Sequence, residues 1–595
     1  MADMPDVPPL DSSPRSRDPF DDGTPTPGEQ PGDRRRDLLR PAEIPDAPDG
    51  PTPYEEHQRD RGRLRRYLIG EPAAPQRGRL GMLAGAAGIV AAGFLLSRLL
   101  GVARSVAIAN AFGTDPELSA YWVAFRLPDL VFQLLAGATL SSAFIPTFSR
   151  LRLERGSREA WRMASSVLHL VSVATFVATG LAFLAAPTIV PWLAPGLGQA
   201  TGREVELTAD AVRLTRLMLL SPLFFGISGM LTGILNARQH FLAPALAPLI
   251  YNLSIIFGAV FLAQPFGVTG LAWGVVIGSA GHLLVQLPAL SSVGMRWTPS
   301  LDVFAEGVRD VMALMAPRVI GLAASQVNFL AVIFFASFVS DEAISAMNYA
   351  FLMMMLPVGV IGMAISTAVF PTLAQHAAAR ETMLLRNALT HALRTILLLA
   401  IPASVGLILL AGPAVQLLLE RGAFDDRSAD LVVSALVVYG VGIFAHSGVE
   451  ILSRGFYALS DTRTPVAAAV VAMILNVALA ALLVRPFELR GLAAAATITA
   501  IIEFGLLVLA LRGRIGGLDA PVLTRSVRST LIASAVMGGA IVATRFGLGY
   551  LGVRADGTLG AFAVLLVAGS LGAVVFAAVS YRLNRQDFEA LLALR

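Results

Sequence analysis

About fourteen apolar segments follow one another from residue 81 to near the end of this 595-residue chain. Each is close to the roughly 20 residues that a helix needs to cross a bilayer. Lipid offers the backbone no hydrogen bonds, so spanning segments of this length form helices. Charged residues make up only 15% of the chain, against about 25% in soluble proteins. The pattern therefore predicts an all-α polytopic membrane protein with about 14 transmembrane helices. The predicted spans lie near 83–112, 117–148, 160–184, 206–236, 242–263, 268–290, 310–339, 342–373, 385–411, 429–458, 465–484, 489–511, 526–546 and 559–581.

One sequence pattern occurs twice, with six predicted spans between its copies. SAYWVAF (119–125) has the same frame as SAMNYAF (345–351). Each copy is followed by a run that contains proline, SSAFIPT (141–147) in the first and STAVFPT (366–372) in the second. Repeated halves of this kind are typical of transporters whose substrate site lies where the halves meet.

A shorter match upstream supports the repeat, since SRLLG (97–101) corresponds to PRVIG (317–321). An even number of spans between copies predicts halves of parallel orientation, related by an axis along the membrane normal. We therefore predict two six-helix lobes at 81–300 and 301–515. Residues 516–595 would add two extra transmembrane helices and a short cytoplasmic tail.

Residues 1–80 differ in composition from the rest of the chain. They hold 15 of the 35 prolines, with acids and arginines in near balance and few aromatic residues. Such a segment buries too little apolar surface to offset its ordering entropy, so we predict a disordered N-terminal tail. Its arginine-rich end favours a cytoplasmic anchor for the first span. The open alternative is a docking segment for anionic lipid or a regulatory partner.

Charge in the connections predicts the topology. The connection after the second span (149–162), the one after the twelfth (512–528) and the C-terminal tail (582–595) are rich in arginine. GTDPE (113–117) and VSDEA (339–343), which would lie on the other side, have no basic residue. The positive-inside rule then places both termini in the cytoplasm.

Four arginines interrupt the apolar segments: Arg98, Arg104, Arg126 and Arg318. A charged side chain at membrane depth is costly, about 2.5 to 3.5 kcal/mol on insertion scales, and usually faces a hydrated pathway. We therefore predict that these four bind an anionic substrate. Structural alternatives stay open, because a long side chain can reach the membrane surface. Arg126 could also pair with Asp129, and Arg318 could serve only to set topology.

Acidic residues in the spans are few, and Glu450 and Glu503 are the clearest, with His446 one turn before Glu450. They are candidates for coupling transport to H+ or Na+, or for neutralising the buried arginines. The chain has no cysteine, which excludes thiolate metal sites and cysteine nucleophiles. Its 7 histidines lack metalloprotease spacing and no phosphate loop occurs in a supporting context. We predict no enzyme activity, no metal site and no cofactor.

Several long motifs resemble the MurJ/MviN lipid II flippase family, in the multidrug/oligosaccharidyl-lipid/polysaccharide exporter superfamily. They are SRLLGVARSVAIANAFG (97–113), VAFRLPDLVFQLLAGATLSSAFIPTFS (123–149), ILNARQHFLAPALAPLIYNLSII (234–256), FPTLAQHA (370–377) and, most specific, the run from 420 to 465 that includes GFYALSDTRTP. The resemblance implies a flippase of the bacterial inner membrane. It would move a polyprenyl-pyrophosphate-linked peptidoglycan precursor from the inner to the outer leaflet by alternating access.

The resemblance also assigns roles to residues. Arg98 and Arg104 match family arginines thought to hold the pyrophosphate, and Arg126 matches a nearby basic position. Asn476 matches a polar position associated with sodium binding in some members. The last two spans would form a groove for the lipid tail. The partners implied are the lipid-linked pyrophosphate and membrane lipids, with no nucleic acid, and we expect a monomer.

Six positions depart from the family pattern. The family usually has an acid where Ser119 stands and arginines where Gln133 and Leu352 stand. It has Glu-Gly at Gly137-Ala138, and an acid at Ala480. These departures keep alternatives open: a flippase or exporter of another polyprenyl-linked glycan or drug, or a transport-dead scaffold that recruits cell-wall enzymes through residues 1–80. Coupling could use Na+, H+ or the membrane potential.

Overall fold

A computed structural model describes residues 77–135, 138–295, 297–298, 302, 304, 307–553, 557–583 and 585. The predicted tail is therefore almost entirely outside the described residues. Throughout the described part the backbone forms helices joined by turns and short loops, with no strand. This confirms the all-α prediction.

Ten helices come from the first part of the chain. They are α1 (Arg77–Phe112), α2 (Pro116–Leu135), α3 (Ala138–Arg155), α4 (Ser157–Leu193), α5 (Glu204–Met218), α6 (Leu220–Ala237), α7 (Leu242–Phe257), α8 (Ala263–Phe266), α9 (Val268–Leu284) and α10 (Leu287–Ser292). The remaining ten are α11 (Val308–Ala336), α12 (Ala343–Pro357), α13 (Ala364–Ala378), α14 (Thr382–Leu409), α15 (Ala411–Leu418), α16 (Asp426–Val441), α17 (Ile443–Ala458), α18 (Arg463–Ile515), α19 (Ala520–Tyr550) and α20 (Gly557–Leu583). Two π-helical turns, Gly258–Leu262 and Val358–Met363, interrupt this pattern.

Within the described residues, ten helical segments are long and apolar enough to cross a membrane, and four of them consist of two consecutive helices: α5 with α6, α7 with α8, α9 with α10, and α12 with α13. The number is eleven if α16 and α17, which meet at 49°, form one broken span. Helix α18 is 53 residues long, or about 80 Å at 1.5 Å per residue, far more than the ~30 Å of a hydrocarbon core. Its backbone leaves the helical region at Glu488 (φ 52°, ψ −129°). This kink separates the two apolar stretches predicted at 465–484 and 489–511.

The motif most specific to the family resemblance has a structural role at the start of α18. One carboxylate oxygen of Asp461 accepts hydrogen bonds from the backbone N–H groups of Arg463 and Thr464, both at 3.1 Å. The other accepts from the Thr464 hydroxyl at 2.8 Å and pairs with Arg514 at 2.6 Å. An aspartate here satisfies N–H groups that an α-helix leaves without partners at its N-terminus.

One end of the bundle brings the two parts of the chain into close contact; we call it the sealed end. It is formed by the loops at 113–115, 194–203, 337–342 and 419–425. Buried Asp341 accepts hydrogen bonds from the backbone N–H of Gly198 (2.7 Å) and from both the N–H (3.0 Å) and the hydroxyl (2.7 Å) of Thr201. The hydroxyls of Thr114 and Ser428 lie 2.8 Å apart and are buried. GTDPE and VSDEA therefore share one end, as their charge pattern predicted.

Two glycines allow the backbones to meet at the sealed end. The N–H of Ala423 donates to the carbonyl of Asn110 at 2.9 Å. A Cβ atom at Gly113 would lie 2.4 Å from the carbonyl oxygen of Ala423, and one at Gly422 would lie 2.3 Å from that of Asn110. Both glycines also have positive φ, 54° and 60°, which other residues adopt at a cost.

The opposite end of the bundle is joined differently. The start of α11 packs into a separate apolar cluster, in which Val308 and Val311 are buried with Phe148 and Trp161. Two exposed ion pairs cross the same end, Arg150 with Asp310 and Arg162 with Asp302. Among the described residues of this end, apolar packing therefore joins the two parts of the chain, and exposed ion pairs lie at the edge of the apolar cluster.

Candidate functional site

Equivalent residues of the sequence repeat meet each other in the structure. The hydroxyls of Ser119 on α2 and Ser345 on α12 lie 3.0 Å apart, fully buried, and the residues are separated by 226 positions. Two residues in equivalent positions touch only near the axis that relates the two copies. The Ser119–Ser345 contact thus marks where the two repeats face one another.

A cavity of about 190 Å³ lies on the first-repeat side of α2. Arg104 and Asp129 supply its charges, and Tyr121, Ser221 and Tyr251 are among its other lining residues. Asp129 accepts hydrogen bonds from the side-chain amide of Gln133 at 3.2 and 3.4 Å. Buried Pro128 precedes Asp129 inside the helix. Arg104 is therefore a fixed cation at membrane depth beside space that a ligand or water can occupy.

A second cavity, of about 220 Å³, lies on the other side of α2. Arg126 reaches into it and donates to the side-chain oxygen of Asn348 at 3.0 Å. Its guanidinium carbon is 4.9 Å from the centre of the Phe329 ring, within range of a cation–π interaction. A cation from the first repeat is thus held by two residues of the second.

Polar groups line the rest of the second cavity. Asn476 donates to the side-chain oxygen of Asn328 at 3.1 Å. Glu503 and His446 also face the cavity. The Nε2 atom of His446 and the Nε atom of Arg126 are buried and have no hydrogen-bond partner among the described residues. Buried polar atoms without a protein partner beside such a cavity are suited to ordered water or an ion.

Arg98 lies apart from both cavities. Its Nη2 atom is 3.3 Å from the sulfur of Met363, and its guanidinium lies over Gly359. Both contacts belong to the π-helical turn of the second repeat. Glu450, one of the candidate coupling acids, is 3.7 Å from Arg454, one helical turn later.

Arg318 is within α11, but its side chain is outside the described residues. The arginines are therefore not gathered in one small cavity: Arg104 and Arg126 line different ones, and Arg98 lines neither.

The arrangement of side chains around α2 explains why Arg126 does not line the first cavity. Trp122, Phe125, Asp129 and Phe132 form a stripe at helical spacing that faces the first cavity, whereas Arg126 is 100° further round than Phe125. Pairing of Arg126 with Asp129 was an open alternative, and the hydrogen bonds of these two side chains are instead with Asn348 and Gln133.

Sequence reasoning missed three residues of this region: Asn328, Asn348 and Arg454. A signal existed for Asn348, because it is a polar residue inside the repeated frame SAMNYAF. Asn328 lies in a stretch typical of an ordinary span, and Arg454 lies near the end of a span. Only helix packing brings Asn328 to the cavity and Arg454 to Met363.

Comparison with known proteins gives a consistent result. The family model described as "Lipid II flippase MurJ" matches residues 108–548. A "Probable lipid II flippase MurJ" of Rhizobium tropici is 31% identical over 492 residues, or 81% of this chain and 90% of the relative. The "Lipid II flippase MurJ" of Burkholderia cenocepacia is 32% identical over 388 residues, covering 64% of this chain and 74% of the relative.

Solved structures agree. A structure described as "Lipid II flippase MurJ, inward closed conformation" matches with a TM-score of 0.68 and 25% identity, over 83% of this chain and 98% of that one. An inward-facing MATE family multidrug resistance transporter of the MOP superfamily matches with a TM-score of 0.58 over 71% of this chain and 94% of that one. At 17% identity, this second likeness shows the fold alone. The chain is a multi-pass protein of the bacterial inner membrane, and it belongs to the lipid II flippase MurJ family.

Proposed function

We propose that this protein moves lipid II, the polyprenyl-pyrophosphate-linked precursor of peptidoglycan, from the inner to the outer leaflet of the inner membrane. The observation that carries the proposal is Arg104, a cation at membrane depth that lines a cavity beside the repeat interface. A guanidinium is always charged and suits a phosphate, to which it can donate two parallel hydrogen bonds. The relatives' names supply the particular lipid.

The proposed architecture has fourteen spans, in lobes at 81–300 and 301–515 with two further helices in 516–595. Both termini would be cytoplasmic, because the arginine-rich connections lie opposite the sealed end. The sealed end would then face outward, and the substrate would enter from the inner leaflet after the apolar packing at the opposite end separates. Rocking of the lobes about the Ser119–Ser345 contact would open the outer side.

The membrane potential supports movement in this direction. An inward-negative potential favours export of an anion by about 2.3 kcal/mol per charge per 100 mV. Arg104 would hold the diphosphate by charge-assisted hydrogen bonds. Arg98 and Arg126, which do not line the cavity of Arg104, and Arg318 would contact the diphosphate as the lobes move.

We further propose that any coupling ion is a proton and that Glu503 carries it. Sodium sites are built from oxygen ligands, usually with carboxylates, as in other hard-cation sites. At Asn476 the neighbour is another amide, Asn328, and Glu503 is the one carboxylate among the described lining residues. Arg126, Tyr439 and His446 face the same cavity, and Glu450 lies by Arg454.

The test of proton coupling is transport in sodium-free vesicles with an imposed pH gradient. Dependence on sodium alone would contradict the assignment.

The main test is translocation of a fluorescent lipid II analogue by the full-length protein in proteoliposomes. Loss of the charge-assisted contacts in Arg104→Gln should slow translocation about 10- to 100-fold, and Arg104→Lys should keep part of the rate. Arg213→Gln is the matched control, since Arg213 is 65% exposed and pairs with Asp210. Wild-type translocation by Arg104→Gln would overturn the proposed site. Failure of the wild type to move the analogue, while it moves another polyprenyl-linked glycan, would change the substrate.

A further inference from the structure

A groove of about 480 Å³ lies on the surface of the bundle, between the last turns of α4 and helix α5. It shares no lining residue with the two cavities described above. The adjoining face of α4 is apolar and exposed, since Leu181, Phe183 and Leu184 are 63%, 43% and 74% exposed. An exposed apolar face on a helix long enough to span the bilayer contacts lipid. The groove is therefore open to the lipid phase.

Two arginines of α5 border this groove, and they differ in their partners. Arg213 pairs with Asp210 at 3.0 Å and donates to the hydroxyl of Thr269 at 3.4 Å, so its charge is balanced. The polar contact and the ring contact of Arg216 within the described residues are both with Phe183, and neither involves a carboxylate. Arg216 is half-buried. It brings a positive charge to the groove that no acid in the described part of the chain neutralises.

Phe183 holds the Arg216 guanidinium by one edge and one face. The Nε atom of Arg216 donates to the carbonyl oxygen of Phe183 at 3.3 Å, and the guanidinium carbon lies 4.9 Å from the centre of the Phe183 ring. That carbonyl is available because Pro187, four residues later in the same helix, has no N–H to donate to it. Both contacts leave the two Nη atoms, at the end of the side chain, accessible to a ligand in the groove.

The direction of α5 points the guanidinium toward the membrane surface at the sealed end. The helix begins at Glu204, directly after a loop of the sealed end, and Arg216 lies about 18 Å along its axis at 1.5 Å per residue. Helical side chains tilt toward the N-terminus of their helix, which here is the sealed end. The groove continues in that direction, because Val212 and Thr208 line it one and two turns before Arg216.

We propose that this groove binds one anionic phospholipid, of the phosphatidylglycerol class, in the leaflet at the sealed end. The lipid phosphodiester accepts hydrogen bonds from the two Nη atoms of Arg216, because a planar guanidinium matches two phosphate oxygens. One acyl chain lies along the exposed face of Phe183 and Leu184. A charged side chain at membrane depth is costly, and a lipid phosphate supplies the neutralising charge that the described chain does not.

The charge of the groove favours an anionic lipid over a zwitterionic one. No carboxylate is among the described residues that line it, and the nearby Asp210 is paired with Arg213. An ammonium headgroup therefore finds no acid to bind. A soluble phosphate ion is disfavoured as well, because it would lose hydration without gaining contact with the apolar face. This site does not depend on which lipid the protein transports.

The test is photocrosslinking of the full-length protein in phosphatidylcholine nanodiscs. The probe is a phosphatidylglycerol with a diazirine close to its glycerol, and peptide mass spectrometry maps the crosslinks. We expect labelling of 181–192 and 204–216 above the level given by a phosphatidylcholine probe with the same diazirine. Arg216→Gln should reduce this labelling about 10-fold, because it removes hydrogen bonds to a charged ligand. Arg216→Lys should keep part of it, since an ammonium keeps the charge without the planar fork.

The double variant Asp210→Asn/Arg213→Gln is the matched control. It removes an arginine one turn from Arg216 together with that arginine's partner, so the net charge does not change. Labelling at the level of the wild type is expected. A loss equal to that in Arg216→Gln would overturn the assignment to Arg216.

A pair of phenylalanines tests the geometry with every arginine in place. Phe183→Leu keeps an apolar side chain but removes the ring beneath Arg216, and labelling should fall about 2- to 5-fold. Phe176→Leu is its control, because Phe176 is 67% exposed and lies two turns earlier on the same face of α4. This pair keeps the proposal testable if Arg216→Gln folds poorly.

Competition identifies the occupant. Unlabelled phosphatidylglycerol should displace the probe, and phosphatidylethanolamine at the same mole fraction should have little effect. Equal displacement by phosphatidylethanolamine overturns the anionic assignment, and displacement by inorganic phosphate overturns the lipid. Labelling at the level of the phosphatidylcholine probe, or wild-type labelling in both Arg216→Gln and Phe183→Leu, overturns the site itself.

Discussion

The two ends of the bundle are closed by different physical means. At the sealed end, Thr114 and Ser428 are 3% and 4% exposed, and their hydroxyls meet at 2.8 Å. At the opposite end, Arg150 and Asp310 are 52% and 50% exposed, and the buried contact there is apolar. Hydrogen bonds and backbone contacts are directional and lose their energy within a small displacement. Apolar packing is not directional and can be remade after helices slide. From this comparison we predict that the sealed end, if it opens during transport, separates as one unit, whereas the opposite end adjusts gradually.

The largest expected effect comes from locking the sealed end. In the variant Thr114→Cys/Ser428→Cys, the two sulfurs would replace hydroxyls 2.8 Å apart, close enough to form a disulfide with little backbone movement. The natural chain has no cysteine, so no other disulfide can form. Oxidation should reduce lipid translocation to background, and a reductant should restore it. Full crosslinking with undiminished translocation would show that the sealed end does not need to open. Each single-cysteine variant is the control.

The next effect tests the glycine contact. Gly422→Ala places a Cβ 2.3 Å from the carbonyl oxygen of Asn110, at a positive φ of 60°. Strain of this kind costs on the order of 1–3 kcal/mol and acts against the sealed form. We expect faster modification of a Thr114→Cys reporter by a thiol reagent. Gly552→Ala is the control, because Gly552 has φ 80° but nothing within 4 Å of an added Cβ. An equal increase in the modification rate in both variants would show that the strain comes from the positive φ and not from the contact with Asn110.

A smaller effect concerns the opposite end, where neighbouring residues give a matched pair. Val311 is 0% exposed, so Val311→Ala should lower the free energy of unfolding by about 1–3 kcal/mol. Asp310→Asn removes only a half-exposed ion pair and should cost less than about 1 kcal/mol. Thermal unfolding of both variants in the same detergent measures the difference. A larger loss in Asp310→Asn would reverse the proposed roles of apolar and ionic contacts.

The smallest effect is a pH dependence at the sealed end. Partial burial, together with the nearby carboxylates of Glu117, Asp425 and Glu342, raises the pKa of Asp115 above 3.8. A raised folded-state pKa means that protonation favours folding, so this contribution is present below the unfolded pKa and is lost as pH rises through the folded one. Thermal stability of the wild type should therefore fall slightly more between about pH 4 and 7 than that of Asp115→Asn. Parallel profiles of the two proteins would contradict this account.

The sequence repeat predicted one feature of the tertiary structure. Two matched heptapeptides predicted that Ser119 and Ser345 occupy equivalent positions, and their direct contact agrees with that equivalence. The boundaries of the lobes and the count of fourteen spans stay predictions. A run of apolar residues gives the length of a span, but it does not tell whether a helix such as α18 kinks at Glu488 or continues.

The candidate site was predictable only in its residue types. The sequence predicted charges at membrane depth at Arg98, Arg104 and Arg126. The free-energy cost of placing an arginine there depends on the residue itself and on the apolar segment around it, and both can be read from the sequence. Their separation into two cavities and one π turn was not predictable. It depends on how far α1 and α2 are rotated about their own axes, and a rotation of 100° moves a side chain from one side of a helix to another.

The amino-acid sequence by itself determined that this chain forms a helical membrane protein with two related parts, since hydrophobic length and repetition are local and additive along the chain. The tertiary structure alone decided that Arg126 is held by Asn348 of the other repeat, and that Arg98 and Arg454 meet at Met363. Such meetings join residues hundreds of positions apart. Their geometry follows from the packing of whole helices, which no single stretch of sequence specifies.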